Sequence, residues 1–228
     1  MTDVGAPRRV RDRTRLSPLR RITIRRLEEA RAAAVPVTVL TEADGARLAE
    51  LRGRVNLTAV LAALLVRTLV EHPDVNCGLD GDDLVRFEDV NLGIAVALPD
   101  GNLTVPVVPR AQELDVAGLA RAIGDLAARA RDGALALADV RGGTVTLSNV
   151  GMMLPAAWGT PLIPPGQTAI VLTGGLVERP VVRDGAVVPG RVLPISLSFD
   201  HRVVNGEGAL RFLRAFVAAV ETGGGDAT

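Results

Sequence analysis

The chain contains no lysine: all 26 of its basic residues are arginine. Without an ε-amino group there is no Schiff base, no pyridoxal phosphate anchor, and no lipoyl or biotinyl group attached to this chain. Cysteine is nearly absent as well. Cys77 stands alone, which rules out an internal disulfide or a multi-cysteine metal site and suits a reducing compartment. Charge of one sign is not in excess. A formal net charge of +0 provides no field to draw in a polyanion, so nucleic acid is not an expected partner. No apolar run reaches the length of a membrane span, and the Arg-rich start lacks a following apolar signal core, so a cytoplasmic protein without a membrane partner is expected. Repeats of solenoid period, Cys/His clusters, a Gly-x-Ser-x-Gly elbow, a phosphate-binding loop and a dinucleotide fingerprint are all missing.

What is present suits one sizeable core. The 228 residues are 48% hydrophobic and 23% charged, enough for one domain and rather short for two. Residues 1–17 carry Arg8, Arg9, Arg11, Arg13 and Arg15 with no apolar period. They are expected to form an irregular basic arm, either simply mobile or docking to an acidic partner or phosphorylated ligand. Residues 18–221 are the expected folded domain, and 222–228 a flexible tail.

Within the domain, Ser17 and Pro18 predict a helix start that runs to about residue 30, with Pro36 ending it. A strand at 37–41 and a helix at 44–51 follow. Asn56 caps an all-apolar helix at 57–70, which must be buried. His72 at its end is expected to be a surface cation favoured at a helix C-terminus, and Cys77 a small buried residue. Strand-like runs at 90–98 and 103–108 flank Asp100-Gly101 as a hairpin. Asp115 caps a helix at 116–131, for which Gly133 supplies the stop. A threonine-rich strand ends at Ser148-Asn149, and a Pro-rich loop at 152–166 holds Trp158 as core or interface filling. Strands at 169–173 and 181–182 precede a strand at 192–197 and an amphipathic helix at 209–220. This order predicts an α+β fold, a mixed β-sheet with flanking helices.

The chemistry concentrates in the turn between the last strand and last helix, where His201 has a carboxylate before it, a guanidinium after it and an amide four residues on. An imidazole moves a proton either way at neutral pH, and rigid elements on both sides fix a turn well. Ser148 closes the strand with the Gly-rich start. By itself such a serine satisfies backbone groups.

The run Asp200-His201-Arg202-Val203-Val204-Asn205-Gly206 resembles the signature of the catalytic domain of the dihydrolipoyl acyltransferases of 2-oxo acid dehydrogenase complexes, itself chloramphenicol acetyltransferase-like. Other segments are similar in the same order: Leu19-Arg20-Arg21 with Arg25-Arg26-Leu27, Asn91 to Val96, Asp100 to Val107, and Gly142-Gly143 through Ser148-Asn149-Val150-Gly151. The resemblance implies that fold, with the active site at a trimer interface. His201 of one subunit would take a proton from an incoming thiol or hydroxyl. Ser148 of the next would face the reacting carbonyl and stabilise its oxyanion, and Asn205 would position the turn. Acetyl-CoA, or another acyl-CoA, would be the co-substrate of a homotrimer, with no cofactor bound covalently and no metal.

Two departures bear on the acceptor. The chain leaves no room for lipoyl or subunit-binding domains before the catalytic domain, and its polar tail differs from the family's apolar anchor. A free, stand-alone trimer is therefore expected. Its similarity to small relatives in bacterial natural-product pathways, including tetronate formation, implies a hydroxyl of a small biosynthetic intermediate as acceptor and a downstream pathway enzyme as partner. The alternative is an excised core of a pyruvate-type complex, with dihydrolipoamide as the thiol. A third reading, a catalytically silent assembly or binding subunit, predicts loss of the histidine, which is retained.

Overall fold

The structure is a computed structural model and describes residues 9–223. Residues 1–8 of the expected arm and 224–228 of the expected tail lie outside it. Residues 9–17 carry no secondary structure. Helix α1 (Pro18–Ala33) starts as Ser17 predicts, its Oγ accepting from the Arg20 N–H at 3.1 Å with Pro18 in the first turn. Strand β1 (Pro36–Asp44) follows, then a short α2 (Ala46–Glu50). In α3 (Leu57–Glu71) the Asn56 carboxamide accepts from the Thr58 and Ala59 N–H groups. Every residue from Ala59 to Val66 is buried, as a helix apolar on all faces requires.

A small hairpin, β2 (Cys77–Asp80) and β3 (Asp83–Arg86), was not foreseen. Six of its eight positions are exposed, so no alternating apolar face announces it. The expected hairpin around Asp100-Gly101 forms in two pieces. Its inner rungs are β4 (Leu92–Ile94) and β7 (Val107–Val108), and its outer rungs are β5 (Val96–Ala97) and β6 (Leu103–Thr104). Helix α4 (Val116–Arg131) has the predicted bounds, with Asp115 accepting from the Gly118 N–H at 2.6 Å. Gly133 beyond it takes a φ of 68°, open to glycine at no steric cost. Strands β8 (Val145–Asn149), β9 (Ala169–Thr173), β10 (Val177–Arg183) and β11 (Ala186–Asp200) lead to α5 (Gly206–Thr222).

The main sheet runs β1-β11-β9-β8-β4-β7, with β10 on the far half of β11. Its β4, β8 and β9 are parallel neighbours, while β11 is antiparallel to β1 and β9. The mixed α+β architecture is therefore as expected. Strand alternation sorts β11 into two faces. Leu193, Ile195, Leu197 and Phe199 join the core that α3, α4 and α5 cover. Ser196 and Ser198 point the other way. The Ser198 hydroxyl lies 2.7 Å from that of Thr38, and the Gly159 N–H donates to Ser196 Oγ at 3.1 Å, so the loop after β8 lies over this second face. Among the described residues no helix is long and apolar enough to cross a membrane.

Candidate functional site

The turn bearing His201 is held by its neighbours in sequence and by residues far from it. The His201 N–H donates to the Val35 carbonyl at 2.9 Å. Asp200, 3% exposed, accepts from the Val35 N–H and from the Arg202 N–H, each at 3.1 Å. It also accepts from Arg202 Nε at 3.0 Å and Nη2 at 2.6 Å. Arg202 Nη2 donates in addition to the Ala33 carbonyl. Burial pushes the Asp200 carboxyl up, but the Arg202 side chain and the two backbone donors outweigh it and hold the group below its ordinary range. The clamp thus ties the end of β11 to the end of α1 and leaves the imidazole exposed at the rim, tilted against the Phe199 ring at 5.6 Å.

Asn205 positions the turn from its other side. Its Oδ1 accepts from the Gly208 N–H at 2.7 Å and so caps α5. The helix therefore begins at Gly206, three residues before the expected start. Its carboxamide supports the backbone beneath His201.

Ser148 sits 8% exposed on β8. The register sets it opposite Leu172, and Leu172 opposite Ser196. His201 lies five residues beyond Ser196 along β11, and two strand spacings separate β8 from β11. Their backbones are therefore roughly 19 Å apart at about 3.3 Å per residue and 4.8 Å per strand. One chain does not bring the two together. A cleft of about 810 Å³ between α3 and α4 is lined by Ala63, Val66, Val116 and Ala120 among others, and by none of Ser148, His201 and Asn205.

Some local expectations are revised. His72 ends α3 as predicted but is half-buried, its ring edge-on to Phe212 at 5.9 Å. Trp158 is 38% exposed in one chain, so of the two places expected for it, core or interface, it does not fill the core. Its Nε1–H donates to the Thr41 carbonyl at 2.9 Å, and the Arg179 guanidinium lies 5.1 Å from its ring. Cys77 is buried as expected, its thiol donating to the Asp74 carbonyl and pushed up by burial. The Asp200–Arg202 clamp was missed as a device. Its two side chains flank the histidine in sequence, but the Val35 and Ala33 groups they hold are more than 160 residues away.

A profile of the family described as 2-oxoacid dehydrogenases acyltransferase (catalytic domain) matches residues 9–223. The dihydrolipoyllysine-residue acetyltransferase component of the Corynebacterium glutamicum pyruvate dehydrogenase complex is 37% identical over 226 residues, covering 91% of this chain and 33% of that protein. The succinyltransferase component of the Rickettsia bellii 2-oxoglutarate dehydrogenase complex is 34% identical, covering 92% and 55%. The chain thus spans about half or less of the length of these relatives. A probable dihydrolipoamide acetyltransferase from Listeria monocytogenes superposes with a TM-score of 0.86 at 28% identity, covering 95% and 97% of the two chains. The dihydrolipoamide acetyltransferase of Azotobacter vinelandii, studied for the role of a serine, a histidine and an asparagine in its catalytic mechanism, gives 0.85 at 27%, covering 96% and 97%. Its histidine and asparagine are four residues apart, as His201 and Asn205 are here. Chloramphenicol acetyltransferase, at 16% identity and a TM-score of 0.53 over 87% of this chain and 94% of that one, shares the fold. The chain belongs to the catalytic-domain family of the 2-oxoacid dehydrogenase acyltransferases.

Proposed function

We propose that the protein moves a small acyl group between coenzyme A and a dihydrolipoyl thiol, as the catalytic unit of a 2-oxo acid dehydrogenase complex. The observation that carries this reading is the match in type and order between Ser148, His201 and Asn205 and the serine, histidine and asparagine studied in the Azotobacter enzyme, with His201 exposed at a clamped sheet end. The exposed imidazole of one copy takes the proton of the incoming thiol. The sulfur then attacks the thioester carbonyl carbon, and the Ser148 hydroxyl of a neighbouring copy donates to the oxyanion. Collapse breaks the bond to the leaving sulfur, which receives the proton back from the imidazolium. Nothing in this sequence requires a metal.

The wide separation of Ser148 and His201 within one chain supports a shared site, and a homotrimer is the assembly proposed to supply it. Because the chain has no lysine, the lipoyl group must arrive on another domain or protein. The relatives are dihydrolipoyllysine acyltransferases, which favours this thiol over the hydroxyl of a natural-product intermediate. The test is release of CoA thiol from acyl-CoA with dihydrolipoamide, beside His201→Ala. His201-dependent turnover is expected. Turnover only with hydroxyl acceptors would reverse the choice of acceptor, and silence throughout would favour an assembly subunit.

A further inference from the structure

We infer that Thr168, a residue outside the His201 turn, is a positioning residue for His201: it braces the end of β11 from the β9 side and so holds the imidazole in line for proton transfer. This rests on the acyltransferase reading and names one more residue that the reaction needs.

Strand β11 is central in the sheet, so its last backbone N–H groups must find partners on both sides. On the β1 side the His201 N–H donates to the Val35 carbonyl at 2.9 Å. On the β9 side the final paired rung is Phe199 with Ala169. One step further, the Asp200 N–H donates to the Thr168 carbonyl at 2.9 Å. The Asp200–Arg202 clamp reaches Val35 and Ala33, toward α1. Thr168 is the support on the opposite side.

Thr168 itself needs an anchor. It follows the Pro-rich loop, where Pro164 and Pro165 offer no N–H, and β9 begins only at Ala169. The anchor is its side chain. The residue is 2% exposed, and its hydroxyl donates to the Val75 carbonyl at 2.8 Å. Val75 lies in the turn after α3, which is fastened as well. The Val75 N–H donates to the His72 carbonyl at 3.0 Å, and the Asn76 carboxamide donates to the Phe87 and Asp89 carbonyls at 3.1 and 3.0 Å. Gln167 is held from another direction, its carboxamide accepting from Thr146 Oγ1 at 2.6 Å. A chain of bonds thus runs from the end of α3 through Thr168 to the backbone of Asp200, next to His201. All of it lies within one copy. Without the hydroxyl, the Val75 carbonyl loses this partner and the start of β9 is freed to shift, carrying the imidazole off its line to the thiol. Such a misplacement slows proton transfer without weakening binding.

The experiment measures kcat and KM for acetyl-CoA and dihydrolipoamide in Thr168→Val, isosteric but without the donor, and in Thr168→Ser, which keeps it. Thr68→Val is the control, because the Thr68 hydroxyl is similarly buried, in a residue 3% exposed, and donates to the Leu64 carbonyl at the same 2.8 Å within α3. Thr168→Val is expected to lower kcat about 10-fold with KM within about twofold, while Thr168→Ser and Thr68→Val keep kcat within about twofold. Amide hydrogen exchange at Asp200 and His201 should quicken about 10-fold in Thr168→Val alone. Should Thr168→Val not fold, Thr168→Ala takes its place. An unchanged kcat in Thr168→Val, a loss confined to KM, or an equal loss in Thr168→Ser or Thr68→Val overturns the inference. An inactive parent protein overturns the acyltransferase reading; quickened exchange would still show the brace, and unchanged exchange would overturn it.

Discussion

The two ends of the central sheet are built from opposite materials. At the His201 end, a buried carboxylate, a guanidinium and two backbone donors lock a turn between β11 and α5. At the Ser148 end there is no charge, and order comes from packing. Gly151 lies so close to Gly174 and Gly175 that a Cβ on it would stand 2.5 Å from the Gly175 backbone, a contact only glycine permits. One end fixes the His201 turn by directed bonds and the other packs an uncharged surface around Ser148. Roughly 19 Å separates them in one chain, so on the proposed mechanism each end supplies half of a site that another copy completes.

The comparison is broken most severely by removing either chemical group. His201→Ala should lower turnover by about 10³-fold, and Ser148→Ala by about 10²-fold, with the thermal melt of both variants within a few degrees of the parent. Next is the clamp. Asp200→Asn should cost about 2 kcal/mol in chemical denaturation, because charge-assisted bonds from Arg202 are lost. Since the Asp200 carboxyl lies below its ordinary value in the fold, its stabilisation is complete above about pH 4 and fades as pH falls through the lower folded value. Asp200→Asn should flatten that acid limb of the stability profile. At the opposite end, Gly151→Ala should cost about 1–3 kcal/mol through overpacking and lower turnover with no change in the acid limb. The smallest effect belongs to Asn205→Ala, about 1 kcal/mol for loss of the α5 cap, with Asn205→Asp retaining most of that stability.

Local signals made much of this legible from sequence. Caps at Ser17, Asn56 and Asp115 mark three helix starts because the accepting side chain and the donating backbone N–H sit within three residues. The His201 turn reads clearly for the same reason. Strand β11 was foreseen only at 192–197 yet runs from Ala186, since Pro189 and Gly190 interrupt its alternation. Its first half pairs only with β10, and at such a sheet margin proline is tolerated. Partners far apart in sequence, such as Val35 with Asp200 or Trp158 with Thr41, leave no local mark. That Ser148 and His201 lie at opposite ends of one sheet depends on the β8-β9-β11 register and emerged only from the structure.

The central claim is that a working site takes Ser148 from one copy and His201 from another. Its most direct test is to co-express Ser148→Ala and His201→Ala chains, each inactive alone, and measure acyl transfer by the mixed assemblies. In a closed ring with random mixing, about a quarter of the sites pair an intact serine with an intact histidine, so recovery of about a quarter of parental activity is predicted. Mixed assemblies as inactive as either variant alone would contradict the account.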